Sequence, residues 1–149
     1  MASRKAASTA SNLLKMMVPA GQASPSSAVG PALGQRGIKA MDFCKQFNER
    51  TSKIEPGTPL PVHLTIGPNR TFTFAVKTPP TAFLLKRAAG VEKGSSTAGH
   101  ASVGQLSLKH VYAIAELKQK DPNMAHLSLK SICGAVIGSA RSMGIQVVN

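Results

Sequence analysis

The chain has 149 residues and a formal net charge of +12, from 18 Lys and Arg side chains against 6 Asp and Glu. Hydrophobic residues make up 42% of it and charged residues only 16%, which is typical of a folded protein rather than a disordered basic tail. Cys44 and Cys133 are too few for a disulfide framework or a cysteine-rich zinc site, and we expect both to be reduced. No apolar run approaches the roughly 18 residues that a transmembrane helix needs.

The start of the chain is basic and free of acid, since every acidic residue lies at or after Asp42. Residues 1–12 are rich in Ser and Ala, and no long apolar stretch follows them. This composition favours an organelle transit segment over a secretory signal, with a short disordered basic extension as the alternative.

The first half of the chain predicts a small α/β unit. Residues 13–18 predict a strand, and the Gly-, Pro- and Ser-rich residues 19–37 predict a loop. Residues 38–50 predict a helix, because their apolar side chains recur with helical spacing. The expected buried stripe of that helix consists of Met41, Phe43, Cys44 and Phe47.

Two runs of alternating apolar and polar residues, 62–66 and 72–76, give the strongest local signal. They predict a β-hairpin with one buried face and a turn at residues 67–70.

The clearest internal boundary is at residues 77–80, where Pro79 and Pro80 restrict the backbone and remove two donors. Thr78 is predicted to cap a helix that has Pro79 at its first position and ends before Gly90.

Two further helices are predicted, with Ser107 and Ser128 as their caps. The first is expected to end at Asp121, before a proline, and the second at Gly144, followed by a terminal strand over residues 145–148. Their expected buried residues are Val111, Ile114, Ala115, Ile132, Val136, Ala140 and Met143.

These elements predict an α+β protein of two small domains: an N-terminal α/β domain with a β-hairpin, and a mainly helical C-terminal domain with three helices and short strands. We expect a basic extension over residues 1–12, the N-terminal domain over 13–77, a Pro-rich linker at 78–80 and the C-terminal domain over 81–149. Within the last, residues 93–104 are expected to form a loop.

Nothing in the sequence is typical of an enzyme. The acids are scattered singly, the histidines fall in different predicted elements, and no metal-protease, Cys-x-x-Cys or nucleophile-elbow motif occurs. The glycine-rich residues 30–37 lack the Lys-Ser/Thr pair of a nucleotide-binding loop. We therefore predict no catalytic residues, no cofactor and no metal.

The charge predicts a polyanionic partner, and nucleic acid is favoured over a membrane because the basic residues are not gathered on one amphipathic helix. Folded RNA suits small residues and hydroxyls near cations, as in residues 93–97 and 138–144. Gly138 falls inside a predicted helix, where glycine costs about 1 kcal/mol of stability relative to alanine, so either a partner or another helix is expected to approach it closely.

Binding of single-stranded nucleic acid is disfavoured because most aromatic residues are expected in the core. The aromatic residues are Phe43, Phe47, Phe72, Phe74, Phe83 and Tyr112.

Six segments have a specific order and spacing: PAG at 19–21, VGPALGQRG at 29–37, FCKQFNERT at 43–51, TFTFAVKTPP at 71–80, FLLKRAAGVEKGSS at 83–96 and GSARSMGIQVV at 138–148. Together they resemble the large-ribosomal-subunit protein eleven family, the stalk-base protein, over about residues 13–148. The variants GQRG, FNERT and LKHVYAIA resemble its mitochondrial branch.

The resemblance implies a C-terminal domain that binds the GTPase-associated region of large-subunit rRNA and an N-terminal domain that faces translational GTPases. The stalk protein and its acidic stalk dimers would be neighbours. The RNA contacts implied by position are Thr81, Lys86, Arg87, Lys93, Gly94, Ser95, Ser96, Gly138, Ser139, Arg141, Ser142, Met143 and Gly144. The implied factor-facing loop contains Pro19, Gly21, Pro25, Gly30, Pro31, Gln35 and Arg36.

The resemblance also implies that residues 19–31 correspond to the loop that thiopeptide antibiotics exploit in bacteria. Here Ser27 and Ala28 replace prolines of the usual bacterial pattern. The substitutions predict a less rigid loop.

The implied function is a structural, non-enzymatic constituent of the mitochondrial ribosome in the matrix, with no membrane partner and no homo-oligomer. Two other classes stay open at this point. A free nucleic-acid-binding regulator outside the ribosome would bind duplex DNA as strongly as folded RNA, and a small hydrolase would need a clustered acid–base pair.

Overall fold

The computed structural model describes residues 13–25, 29–67 and 71–149. The expected transit segment at residues 1–12 and the substituted positions Ser27 and Ala28 lie outside the described residues.

The chain divides into two compact units, the first ending at Lys77 and the second beginning at Thr78. Both units contain helices and strands, so the α+β class is confirmed. No helix in the described part of the chain is long and apolar enough to span a bilayer.

The N-terminal unit is built on a three-stranded antiparallel sheet with the order β1-β2-β3. Its strands are Leu13–Pro19 (β1), Pro59–Ile66 (β2) and Phe72–Val76 (β3), and its helices are Val29–Gly34 (α1) and Ala40–Thr51 (α2).

Alternation along the strands sends every second side chain to the core, as the sequence predicted for the hairpin. Leu64 of β2 lies opposite Phe74 of β3 and is fully buried. The ring of Phe43, from α2, lies 5.3 Å from that of Phe74 and 5.8 Å from that of Phe47. The hairpin and its buried face are therefore confirmed, while most of the predicted turn lies outside the described residues.

Two predictions for this unit are wrong. Residues 19–37 are not all loop, because α1 forms within them and buries Val29 and Leu33, one turn apart. Pro31 is accommodated because it lies in the first turn, where its missing N–H is not needed. Met41 is 56% exposed, because its offset of six positions from Phe47 rotates its side chain about 120° away from the stripe.

The C-terminal unit contains three helices, Thr81–Ala89 (α3), Leu108–Gln119 (α4) and Leu129–Ser142 (α5), among its described residues. Two short strands, Gly104–Ser107 (β4) and Ile145–Val148 (β5), pair in parallel. The helices pack around a core that contains Leu85, Leu106, Val111, Ile114, Ala115, Ile132, Val136, Ala140 and Ile145.

The predicted caps of the last two helices are confirmed. The Ser107 side chain accepts a hydrogen bond from the backbone N–H of Lys109, and that of Ser128 accepts one from Ser131. Gly90 ends α3 in the left-handed region, with φ 68°.

Three details of this unit differ from the sequence predictions. Helix α3 begins at Thr81 rather than beside Thr78, because Thr78 hydrogen-bonds to Asp121 instead of capping the helix. The end of the predicted 93–104 loop belongs to β4, which pairs with β5. Tyr112, grouped with the core aromatics, is 50% exposed.

Candidate nucleic-acid interface

Backbone contacts bring the two glycine- and hydroxyl-rich segments of the C-terminal unit together. The backbone N–H of Ser95 donates to the carbonyl of Met143 at 2.9 Å. A Cβ atom at Gly94 would lie 3.3 Å from the same carbonyl oxygen, so the chains approach closely there. We call the surface formed by residues 93–97 and 138–143 the loop–helix surface.

Gly144 lies buried between the two segments. It has φ +75°, and a Cβ atom there would lie 2.5 Å from Cβ of Ser95 and 2.9 Å from the carbonyl oxygen of Ala101. Both the backbone conformation and the space therefore require glycine. Gly144 thus packs between the two segments, and its predicted contact with RNA stays a prediction.

Gly138 has no internal reason to be glycine. It is exposed on α5, and a Cβ atom there would meet nothing within 4 Å. The same holds for Gly134, one turn earlier on the same face, which sequence reasoning did not single out. Close packing against another helix of the described chain is thus not the explanation for either glycine.

The hydroxyls on this surface are held in place by the helix backbone. Ser139 Oγ donates to the carbonyl of Ala135 at 3.0 Å, and Ser142 Oγ donates to that of Ser139 at 2.8 Å. Each oxygen keeps lone pairs that can accept from a 2′-hydroxyl. Arg141 and Lys93 are exposed and supply positive charge beside them.

A groove of about 400 Å³ opens beside the same end of α5. It is lined by residues 99–102, Ile137, Arg141 and residues 144–148. The apolar and basic residues that line this groove extend the exposed area beside the loop–helix surface.

The remaining predicted contact residues lie on α3. Thr81 begins the helix and Arg87 is exposed in its last turn, next to the half-buried Lys86. The helical rise separates Thr81 from Arg87 by about 9 Å along the axis, so the two lie at opposite ends of α3.

One part of the predicted factor-facing loop, residues 21–23, is hydrogen-bonded to α2 through two polar residues that the sequence did not single out. Asn48 accepts from the backbone N–H of Ala23 at 3.1 Å and donates to its carbonyl at 3.3 Å. Thr51 Oγ1 accepts from the N–H of Gly21 at 3.2 Å. Asn48 and Thr51 both lie in the FNERT segment. A polar residue within a helical stripe that is otherwise buried is the sequence signal that could have identified them.

Gly30, another member of the predicted loop, lies in a close backbone contact. A Cβ atom at Gly30 would overlap the carbonyl oxygen of Pro25, so this position requires glycine. Pro19 ends β1 opposite Pro59. The other members of the predicted set, Pro31, Gln35 and Arg36, are exposed.

Across the described ranges no group of three or more His, Cys, Asp or Glu side chains is placed to hold a metal ion. The loop–helix surface combines small residues, hydroxyls and cations, which suits recognition of a polynucleotide by shape.

Comparison with known proteins gives two family matches and close relatives. A family model for "Ribosomal protein L11, RNA binding domain" matches residues 77–147, and one for "Ribosomal protein L11, N-terminal domain" matches residues 14–72. The large ribosomal subunit protein uL11m of Schizosaccharomyces pombe is 52% identical over 142 residues, which cover 95% of this chain and 99% of the relative. The protein uL11 of Afipia carboxidovorans is 52% identical over 134 residues, covering 90% and 93%.

Proposed function

Because the chain belongs to the ribosomal protein L11 family, we propose that it binds the GTPase-associated region of large-subunit rRNA through the loop–helix surface. Membership confirms the resemblance drawn from the sequence motifs. It makes the chain a structural constituent of the large ribosomal subunit with an RNA-binding domain, and not an enzyme.

The observation that carries the RNA-contact proposal is the exposed Gly138. Glycine inside a helix costs about 1 kcal/mol against alanine, and the space around Gly138 would admit a side chain. A shallow minor groove of folded RNA can lie directly on such a backbone, with Ser139, Ser142 and Arg141 next to it. Thr81, Lys86, Arg87 and the residues of the 93–96 segment would extend the contact.

The N-terminal unit supports the second half of the proposal, a docking surface for translational GTPases. Asn48 and Thr51 hold Gly21 and Ala23 in place, and Gln35 and Arg36 are exposed after α1. In this account the protein clamps one rRNA element beside the stalk protein and its acidic dimers, and any effect on GTP hydrolysis is indirect.

We place the protein in the mitochondrial ribosome. The support is the 52% identity to the relative named uL11m, which the chain matches over 99% of the relative's length.

Binding to an isolated rRNA fragment tests the contact assignment. Gly138→Leu should weaken filter binding about tenfold, because the added side chain separates the surfaces. It should leave the free protein folded or slightly more stable, since leucine favours the helix by about 1 kcal/mol relative to glycine. The matched control is Ala113→Leu, which adds bulk at an exposed position of α4. Equal affinity of the Gly138 variant and the wild type would show that the contact lies elsewhere.

The alternative function, a regulator outside the ribosome, is separated by competition. Duplex DNA that displaced the rRNA fragment at equal concentration would favour it. Comigration of the protein with large subunits in a density gradient would favour the ribosomal assignment.

A further inference from the structure

The outer face of the N-terminal sheet is polar, cationic and uncovered within the described chain. Side chains that alternate with the core residues point to it from all three strands. We call it the outer sheet face, and its members are Leu13, Lys15, Met17, Pro61, His63, Thr65, Thr73, Ala75 and Lys77.

Three basic side chains cluster at the centre of this face. Lys15 of β1 is the direct cross-strand partner of His63. Lys77 follows β3, and its backbone N–H donates to the carbonyl of Pro61 at 2.9 Å, which places it diagonally across from His63. Cβ atoms of such neighbours are about 5–8 Å apart, within reach of long side chains.

The charged groups that face His63 are all cations. Partial burial and then the nearby Lys77 and Lys15 lower the pKa of the His63 imidazole below its ordinary value. The acids of this unit, Asp42, Glu49 and Glu55, lie on or after α2 and not on these strands. Protonated His63 would face like charge across the strands, which destabilises a sheet, and a bound anionic partner would offset that repulsion.

Apolar side chains flank the cations. Met17 is 53% exposed and Leu13 is 38% exposed, both on the same strand as Lys15. The face has no aromatic platform on which a base could stack, and two lysines are too few for strong binding to a phosphate backbone. Exposed methionine is instead enriched at protein interfaces.

We propose that the outer sheet face docks an acidic amphipathic segment of a partner protein, with carboxylates on Lys15, His63 and Lys77 and apolar side chains on Met17. This interaction is separate from the rRNA contact, which lies on the C-terminal unit.

The test uses the full chain and a synthetic probe, a fluorescein-labelled helical peptide of about 18 residues, or five turns, with glutamates on one face and leucines beside them. The double variant K15Q/K77Q should weaken binding about tenfold, since each exposed ion pair supplies a fraction of this. The matched control K45Q/K53Q removes two exposed charges at or after α2, and its affinity should stay within about twofold.

A second pair of variants tests the contribution of apolar side chains to peptide binding. Met17→Ser should weaken peptide binding about threefold, whereas Met41→Ser, at a residue 56% exposed on α2, should not change it. Far-UV circular dichroism verifies that each variant is folded, and affinity for the rRNA fragment should be unchanged in all four.

Wild-type protein provides a readout that needs no variant. Bound carboxylates should raise the pKa of His63, measured from its ring-proton NMR signals with and without peptide. An unchanged pKa at saturating peptide, or equal affinity of K15Q/K77Q and wild type, would overturn the proposal. So would preferential binding of a single-stranded RNA or of phosphatidylserine vesicles at this face.

Discussion

The carboxylate of Asp121 joins the end of α4 to the first residue of the C-terminal unit, Thr78. One oxygen accepts from the Thr78 backbone N–H at 3.0 Å, and the other accepts from the Thr78 hydroxyl at 2.6 Å. Lys118 Nζ lies 3.7 Å from the second oxygen, and both charged residues are less than a tenth exposed. The network fixes the entry of the chain into the unit that carries the loop–helix surface.

Removal of this carboxylate should destabilise the C-terminal unit. Asp121→Ala deletes two hydrogen bonds and an ion pair from a buried site, and we expect the free energy of unfolding to fall by about 2–4 kcal/mol. Thr78→Val deletes only the hydroxyl bond and should cost about 1–2 kcal/mol. Urea denaturation measures both, with Thr78→Ser as the control that keeps the hydroxyl. Equal stability of the Asp121 variant and the wild type would show that the network contributes nothing.

Two glycines of the C-terminal unit with positive φ allow the stability cost of backbone strain to be distinguished from the cost of overpacking. Gly90 and Gly144 have φ of 68° and 75°, but a Cβ atom meets nothing within 4 Å at the first and would overlap Ser95 at the second. Gly90→Ala should cost about 1 kcal/mol, from the left-handed conformation alone. Gly144→Ala should cost about 2–4 kcal/mol and should also weaken RNA binding, because the loop at Ser95 must move. Similar losses of stability for the two variants would contradict this account of Gly144.

The salt dependence of RNA binding tests whether Arg141 contacts a phosphate. In log K against log salt, Arg141→Gln should reduce the slope by about 0.7–0.9, the contribution of one neutralised phosphate. The control Lys130→Gln removes one charge from the exposed start of the same helix, α5, and should leave the slope unchanged. If both variants shift the slope alike, the effect comes from net charge and not from a contact.

Stability of the N-terminal unit should depend on pH through His63. Because its folded pKa lies below the ordinary value of about 6.5, the unfolded chain binds the proton first as pH falls. Neutral His63 contributes its full stabilisation above the pKa of the unfolded chain. That stabilisation is lost as the pH falls from the unfolded pKa to the lower folded pKa. Thermal unfolding between pH 8 and 5 should therefore show a smaller decline for His63→Gln than for wild type. His126→Gln, in the exposed segment before α5, serves as the control.

Local patterns predicted the elements whose stability is local. Alternation over residues 62–66 and 72–76 specified the hairpin because one face of it is buried. Ser107 and Ser128 were recognisable as caps because a cap needs only its own first turn.

The errors arose where distant residues decide the outcome. Thr78 has the composition of a cap, yet its hydrogen bonds go to Asp121, 43 residues away. Strand β4 exists because β5 pairs with it at Gly104–Ile145, a contact that no local pattern contains.

For the candidate interface, sequence composition identified both segments but not the difference between their glycines. Gly138 and Gly144 look alike in the sequence, and only the structure shows one exposed and the other packed against Ser95. Tertiary contact therefore decides which glycine is exposed and which one is packed between the two segments.

The most direct test of the account is amide NMR of the full-length chain titrated with the isolated rRNA fragment. We expect the largest shifts at residues 93–97 and 138–143, with smaller shifts along α3 and little change on the outer sheet face. Shifts confined to the N-terminal unit, or absent from residues 138–143 at saturation, would contradict it.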